Sequence, residues 1–401
     1  METHDPPKSS PLWKVVFVLI LGTFAMGNAK FSIIPLVPTI AADLQISNQA
    51  VLDSVFAYFW GGFAGAPILA LLFRNWNKPK ILALLSLWCF LGNILSSFAH
   101  NAETLYWLRW FSSIPHAAFM AFATLLICEI APPQKRGLYL GIILLGISLS
   151  TLFVVPFNTL IGMQHGWEIS FRFVALLDLL IFILVLDLLP KNLNPTISTT
   201  IAQQLSGLKN PQVWQLYVLG LCIITCATAA WSFGIATINH ASPLNMPFKV
   251  TLLGILGLGF IIGQIIGGLA ADKNVHAAIG INTAYTLLVL ICLIASLPNY
   301  HIGIMAIFLL SISFATINIM MQIRLLDFPS TSLYLIMCCF NACIQLGNFL
   351  GSWLSEVAQH SHQSTQTMMV YTLPLSLLAL FIWWYLDHQR IKKPQSKFPS
   401  S

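Results

Sequence analysis

Apolar residues run along the chain in long unbroken stretches separated by short polar segments. Twelve such stretches stand out: 13–38, 49–73, 81–99, 104–130, 138–161, 169–189, 213–238, 249–271, 276–297, 301–323, 331–355 and 366–386. A membrane-crossing helix needs about 20 mostly apolar residues, and each stretch meets that length. A membrane β-barrel would show short alternating segments instead. Prolines fall inside several stretches (Pro35, Pro67, Pro115, Pro156, Pro374). They would break soluble helices, but neighbouring helices in a bundle can satisfy the freed backbone groups. The polar start, METHDPPKSSPL, leads into a run too long for a signal peptide, so 13–38 reads as a first span.

The longest polar interruption, 190–212, divides the pattern into six spans and six spans. The expected organisation is an N-terminal half 1–189, a cytoplasmic linker 190–212, and a C-terminal half with a basic tail, 213–401. A faint repeat supports it. GAPILALLFR (65–74) ends the second span and GQIIGGLAADK (263–273) ends the eighth, each running from a glycine to a charge. The loop residues Arg74, Lys78, Asp272 and Lys273 are therefore candidates for a cytoplasmic gate. Parallel halves with a site between them are a transporter architecture.

Composition agrees with this reading. Only 8% of the 401 residues are charged and 57% are apolar, whereas ordinary soluble domains carry about 25% charged residues. Soluble, disordered, collagenous and disulfide-scaffold classes are excluded together. Fifteen Lys and Arg residues fall in the loops and termini of one side, against Arg172 and Lys249 on the other; Lys30 and Arg109 lie within spans. That bias places both termini in the cytoplasm. The net charge of +6 is spread over short loops, so it does not indicate nucleic acid. All eight cysteines lie in apolar stretches and imply no disulfide framework. No metal-ligand cluster, catalytic triad or phosphate-binding loop is present, which argues against an enzyme or an ATP-driven pump.

Charges inside a bilayer cost at least ~2.5–3.5 kcal/mol and mark functional candidates. Lys30 and Asp178 lie at similar depth below one surface, which predicts an ion pair. Arg109, Ser113 and His116 stand at i, i+4 and i+7, on one helix face. Asp53 falls near an outer helix start. The second half carries neutral polar stripes at helical spacing: Thr225, Thr228 and Ser232 with Asn239; Ser311, Asn318 and Gln322; Asn341, Gln345, Asn348 and Ser352. They predict a wetted cavity wall. Tyr58 and Trp231 offer rings on which a substrate could stack. Glycines at four-residue spacing (Gly61 and Gly65; Gly259, Gly263 and Gly267; Gly347 and Gly351) allow close helix contact, either fixed or sliding.

Several stretches resemble the major facilitator superfamily, and within it the drug–proton antiporter branch of bacterial arabinose and sugar efflux permeases. They are LGTFAMGNAKF (21–31), AYFWGGFAGAP (57–67), LRWFSSIPHAAF (108–119), VVPFNTLIG (154–162) and FNACIQLGNFLGSW (340–353). The resemblance implies an all-α membrane protein of twelve transmembrane helices in two pseudo-symmetric six-helix halves, in a bacterial inner membrane. It implies proton-coupled efflux of a sugar or drug, with Arg109 and His116 in the fourth-span motif; Ser113, Val154 and Asn158 stand where that branch carries glycines, and Ser113 and Asn158 are candidates for the substrate cavity. It implies no cofactor and a monomer whose partners are lipid, a small solute and protons. Lys30 stands where that branch carries an acid, so His116 inherits the proton-carrier role, since histidine titrates near neutral pH. The surplus of Lys30 and Arg109 over nearby acids also admits an anionic solute: an organic acid, a sugar phosphate or a carboxylate siderophore. A membrane receptor or structural subunit is the non-transporter alternative.

Overall fold

The computed structural model describes residues 12–190, 198–241, 246–296, 300–360 and 365–392, with side chains outside 233–253, 294–301, 359–370 and 390–392. The described residues form helices and connecting turns, with no strand among them. The helices are α1 (Leu12–Phe31), α2 (Val37–Leu44), α3 (Asn48–Leu72), α4 (Lys78–Ser96), α5 (Ala102–Ile130), α6 (Arg136–Leu149), α7 (Val155–His165) and α8 (Trp167–Leu188). They continue as α9 (Ile201–Ser206), α10 (Pro211–Ala241), α11 (Met246–Ser296), α12 (Tyr300–Leu325), α13 (Leu333–His360) and α14 (Thr365–Lys392).

Ten helical stretches among the described residues are long and apolar enough to cross a membrane. All twelve expected runs fall on helices. Two of them, 249–271 and 276–297, share α11, which breaks at Asn274 (φ −160°, ψ 88°). The Asn274 side chain accepts the Ala277 N–H at 3.1 Å, capping the helix that restarts there. The last run lies on α14, which packs against α10 and α11. The arrangement is consistent with twelve crossings.

Proline chemistry shapes two spans. Pro35 sits in a 3-10 turn, Ile34–Leu36, that joins α1 to α2, so the first helical stretch continues to Leu44 rather than ending near residue 38. Pro156 lacks the N–H that would bond back to the Leu152 carbonyl. Just before it the helix widens into a π turn, Ser150–Val154, joining α6 to α7. Helix starts are capped in the usual way: Ser47 accepts from the Ala50 N–H at 3.1 Å, and Asn101 and Thr104 form a capping box. Gly166, at φ +101°, makes the turn between α7 and α8, a backbone conformation that side-chain-bearing residues avoid.

The burial pattern is that of a protein surrounded by hydrocarbon. Phe153, Leu176, Ile183, Leu288 and Phe381 are each more than half exposed, while Arg109, Asn158, Asp178 and Gln322 are buried. In packing, α3 lies on α5, α4 on α5 and α8, α1 on α6 and α8, α11 on α12, and α10 on α13 and α14. Early and late helices meet most extensively where α3 lies on α13 and α6 on α11, and less so where α5 meets α13. The expected glycine stripes serve the first group. A Cβ on Gly263 would lie 2.5 Å from the Ile312 carbonyl of α12, and one on Gly351 2.7 Å from the Thr225 carbonyl of α10. Gly61 and Gly65 face α5 in the same manner. Different glycines serve the early-to-late contacts: Gly62 against Gln345, Gly257 against Leu152, and Gly137 against Gly268.

Candidate functional site

A cavity of about 520 Å³ lies between α1 and α3 on one side and α10, α11 and α13 on the other. Its floor is formed by Lys30, Phe31, Phe59 and Phe260, and its walls by Phe56, Thr151, Thr228, Trp231, Ser232, Asn348, Ser352 and Ser355. The exposed Gln49, in the first turn of α3, and Glu356, near the end of α13, mark its mouth. A smaller hollow of about 50 Å³ shares Lys30, Phe31 and Phe260 with the floor and adds His116, Gln264, Asn318, Asn341 and Gln345.

The polar stripe of α13 therefore lines both spaces, as its helical spacing predicts. Glu356 continues that stripe one turn beyond Ser352; reading the stripe past the expected span end at 355 would have found it. On α10, Thr228, Trp231 and Ser232 face the cavity as expected, and the Thr228 hydroxyl donates to Asn348 Oδ1 at 3.2 Å. The Trp231 ring packs against Phe260 and Phe314 with centroids 5.7 and 5.0 Å apart. Asn239 lies among residues whose side chains are not described.

Lys30 and Asp178 do not pair, contrary to expectation. The Lys30 ammonium lies over the rings of Phe31 and Phe59, 5.0 and 5.6 Å from their centroids, and lines both spaces. No carboxylate among the described residues comes within 4.0 Å of it. α8 turns Asp178 onto α4 instead, where its Oδ2 accepts from Asn93 Nδ2 at 2.7 Å. Equal depth on two helices does not fix which way each side chain points.

Arg109 and His116 do share a face, and Tyr58 bridges them. The Arg109 guanidinium stacks 4.3 Å from the Tyr58 ring centroid and donates to the Ala29 carbonyl at 3.0 Å. The Tyr58 hydroxyl meets His116 Nδ1 at 2.9 Å. Tyr58 is thus held in the protein interior and does not line the cavity. Ser113 lies on the same helix but packs against Gly61 and donates to the Trp110 carbonyl, so it is not a cavity residue either. Asn158 lines a separate hollow of about 10 Å³ with Arg109, Asn93 and Ser170, about the size of one water. Asp53 is exposed and accepts from Gln49 Nε2 at 3.2 Å, outside the cavity.

Beyond the hollow, toward the end where Arg74, Lys78, Lys135 and Arg136 gather, early and late helices are tied together. The Thr124 hydroxyl donates to Gln322 Oε1 at 2.6 Å, and Gln322 Nε2 donates to Asn318 Oδ1 at 2.9 Å, so Gln322 belongs to this closure rather than to the cavity wall. Asp272 accepts the Gly137 and Leu138 N–H groups at 2.6 and 2.8 Å, at the N-terminus of α6. Both the charge and the geometry suit a helix start. Lys273 beside it is exposed. Lys78 pairs with Glu129 at 2.7 Å and lies 5.3 Å from the Tyr334 ring centroid. The segment before α10 docks here as well. Arg74 Nε donates to the Thr199 carbonyl at 3.1 Å, and the Leu335 N–H donates to Gln204 Oε1 at 3.1 Å. Glu129, Gln204 and Tyr334 carry no sequence signal of this role, because they meet only across the fold.

A sequence model of the Major Facilitator Superfamily matches residues 19–334. The chain is 27% identical over 366 residues to an uncharacterized MFS-type transporter of Bacillus subtilis, YtbD, covering 85% of this chain and 88% of that one. It is 28% identical over 283 residues to the inner membrane transport protein YdhP of Escherichia coli, covering 70% and 71% respectively. Among solved structures, the human organic anion transporter MFSD10 (TETRAN) superposes with a TM-score of 0.71 at 15% identity, over 94% of this chain and 100% of that chain. At that identity the likeness speaks for the fold alone. A multi-pass helical bundle, a central cavity between its early and late helices, and a family match over most of its length together identify the chain as a member of the major facilitator superfamily, a transporter of small molecules across a membrane.

Proposed function

We propose that this transporter carries an amphiphilic organic anion by alternating access, as the helices of 1–189 rock against those of 213–401, with both termini in the cytoplasm. The carrying observation is Lys30, an intramembrane ammonium that faces the cavity with no carboxylate within 4.0 Å among the described residues. An unpaired charge at that depth is costly, and an anionic solute supplies the missing counter-charge. The rings of Phe31, Phe56, Phe59, Phe260 and Trp231 supply the apolar surface. The volume falls in the range of about 300–1,000 Å³ typical of small-molecule sites. Efflux of a cationic drug is the weaker reading, because among the described residues the one carboxylate lining the cavity, Glu356, stands at its mouth.

His116 shares the inner hollow with Lys30. A proton on His116 adds positive charge beside Lys30 and Arg109, and a bound anion offsets that charge. Proton and anion thus favour one another's binding, and linkage makes them travel in the same direction.

The test uses proteoliposomes and three matched solutes: an aryl sulfonate, the corresponding sulfonamide and the corresponding amine. The sulfonate stays charged and does not leak. The expected result is saturable flux of the sulfonate alone, accumulated toward the alkaline side and abolished in K30M. Flux of the amine or the amide in its place, or accumulation toward the acidic side, overturns the reading.

A further inference from the structure

A second cavity, of about 420 Å³, opens at the closed end of the molecule. It shares no lining residue with the solute site or the inner hollow. Its lining is drawn from regions far apart in sequence: Arg74 and Lys78 around the α3–α4 connection, Glu129 at the end of α5, Arg136 at the start of α6, the segment before α10, and the α12–α13 connection with the start of α13.

Its charge is unbalanced. Three cations, Arg74, Lys78 and Arg136, face one carboxylate, Glu129, which Lys78 already engages at 2.7 Å. Arg74 spends two of its N–H groups on the Thr199 and Leu71 carbonyls, so its position is fixed while its charge stays uncancelled. Arg136 has no hydrogen bond or ion pair among the described residues, and its Nε is buried without a partner. Asp272, which meets the two residues that follow Arg136, is turned to the Gly137 and Leu138 N–H groups. Asp327, beyond the rim, is engaged by Arg324. A guanidinium without an acceptor in a roomy cavity, together with a second guanidinium held rigid in the same lining, is the donor set for bidentate binding of phosphate oxygens.

We propose that this cavity binds a phosphate-bearing anion, with Arg136 and Arg74 as its ligands and the Tyr334 hydroxyl at its edge. The anion is either a soluble phosphate compound or the headgroup of an acidic phospholipid. Because the lining joins early helices, late helices and the segment between them, an occupant ties together parts that must separate when this end opens. Occupancy therefore holds the closed arrangement.

The test needs no transported solute, so it stands or falls apart from the transport reading. Full-length protein in lipid-free detergent is titrated with inorganic phosphate, and separately with micelles doped with phosphatidylglycerol or with phosphatidylcholine. The thermal unfolding midpoint is followed in each arm. The expected result is a saturable rise of a few degrees with phosphate or with phosphatidylglycerol, none with phosphatidylcholine, and at least tenfold weaker half-saturation in R136Q. A rise with phosphate assigns a soluble anion; a rise with phosphatidylglycerol alone assigns the headgroup. No rise in any arm, or an equal rise in R136Q, overturns the proposal. Should R136Q not fold, S330C answers instead, since Ser330 lines the same cavity. The anion should slow maleimide labelling there several-fold, and unchanged labelling overturns the proposal equally.

Discussion

The Asp272→Asn substitution probes what keeps one end of the transporter shut. Asp272 sits half-buried at the end of the first segment of α11 and accepts two backbone N–H groups of α6, at 2.6 and 2.8 Å. Asparagine keeps one acceptor, loses the charge and turns an amide NH₂ toward the other N–H. A hydrogen bond to a charged group contributes about 1.5–3 kcal/mol net, and a charge at a helix N-terminus about 0.3–1 kcal/mol, more when partly buried. The substitution should therefore cost about 2 kcal/mol, and only while α11 lies against α6. Since 1.4 kcal/mol is tenfold, the ratio of open to closed forms should rise roughly thirtyfold. Spin labels at the exposed positions Lys80 and Lys209, one on each side of this end, read that ratio by pulsed electron resonance as the balance of long and short distances. An unchanged distribution in a folded D272N variant, or an equal shift in K273N, would refute the reasoning.

Further outcomes follow from the site. Because Lys30 and Asp178 have separate partners, the stability losses of K30M and D178N should add within about 0.5 kcal/mol; recovery in the double variant would show that they pair after all. Tyr58→Phe leaves the buried His116 Nδ1 without its partner and should cost about 1–3 kcal/mol of stability, measured by chemical unfolding in detergent; a neutral effect would mean that the 2.9 Å contact is not a hydrogen bond. His116→Gln should bring the pH-gradient-driven accumulation ratio close to one while downhill exchange persists, and unaltered accumulation would remove His116 from coupling.

The hydrophobic pattern carried most of the fold because the bilayer demands long apolar helices, and each of the twelve runs lies on one. What it misplaced were ends and directions. The first span runs on to Leu44 because the 3-10 turn that holds Pro35 joins α1 to α2 without ending it. Lys30 and Asp178 were matched by depth, yet depth is one coordinate; the rotation of each helix about its axis is set by its neighbours, and α4 claims Asp178 through Asn93. The α13 stripe was legible for the opposite reason, since Asn341, Gln345, Asn348 and Ser352 lie on a single helix and need no partner to define their face. Tyr58 and Ser113 looked like cavity residues by position, but Arg109 with His116 holds the first and Gly61 packs against the second. The aromatic floor was hidden because phenylalanine is abundant throughout, and only the fold distinguishes Phe59 and Phe260 from rings facing lipid.

The meeting of α6 with α11 at Gly137 and Gly268 has a kinetic consequence. A Cβ on Gly268 would stand 2.7 Å from the Gly137 carbonyl, so main chain rests directly on main chain. Interlocked side chains must change rotamer before two helices can part, and each rearrangement adds to the activation barrier. Bare backbone surfaces carry no such teeth. They can separate and rejoin with little reorganisation, leaving the polar contacts of Asp272, which water can replace in stages, as the main resistance. The join is thus firm at equilibrium yet quick to release, a combination suited to a carrier that must reverse this step in every turnover.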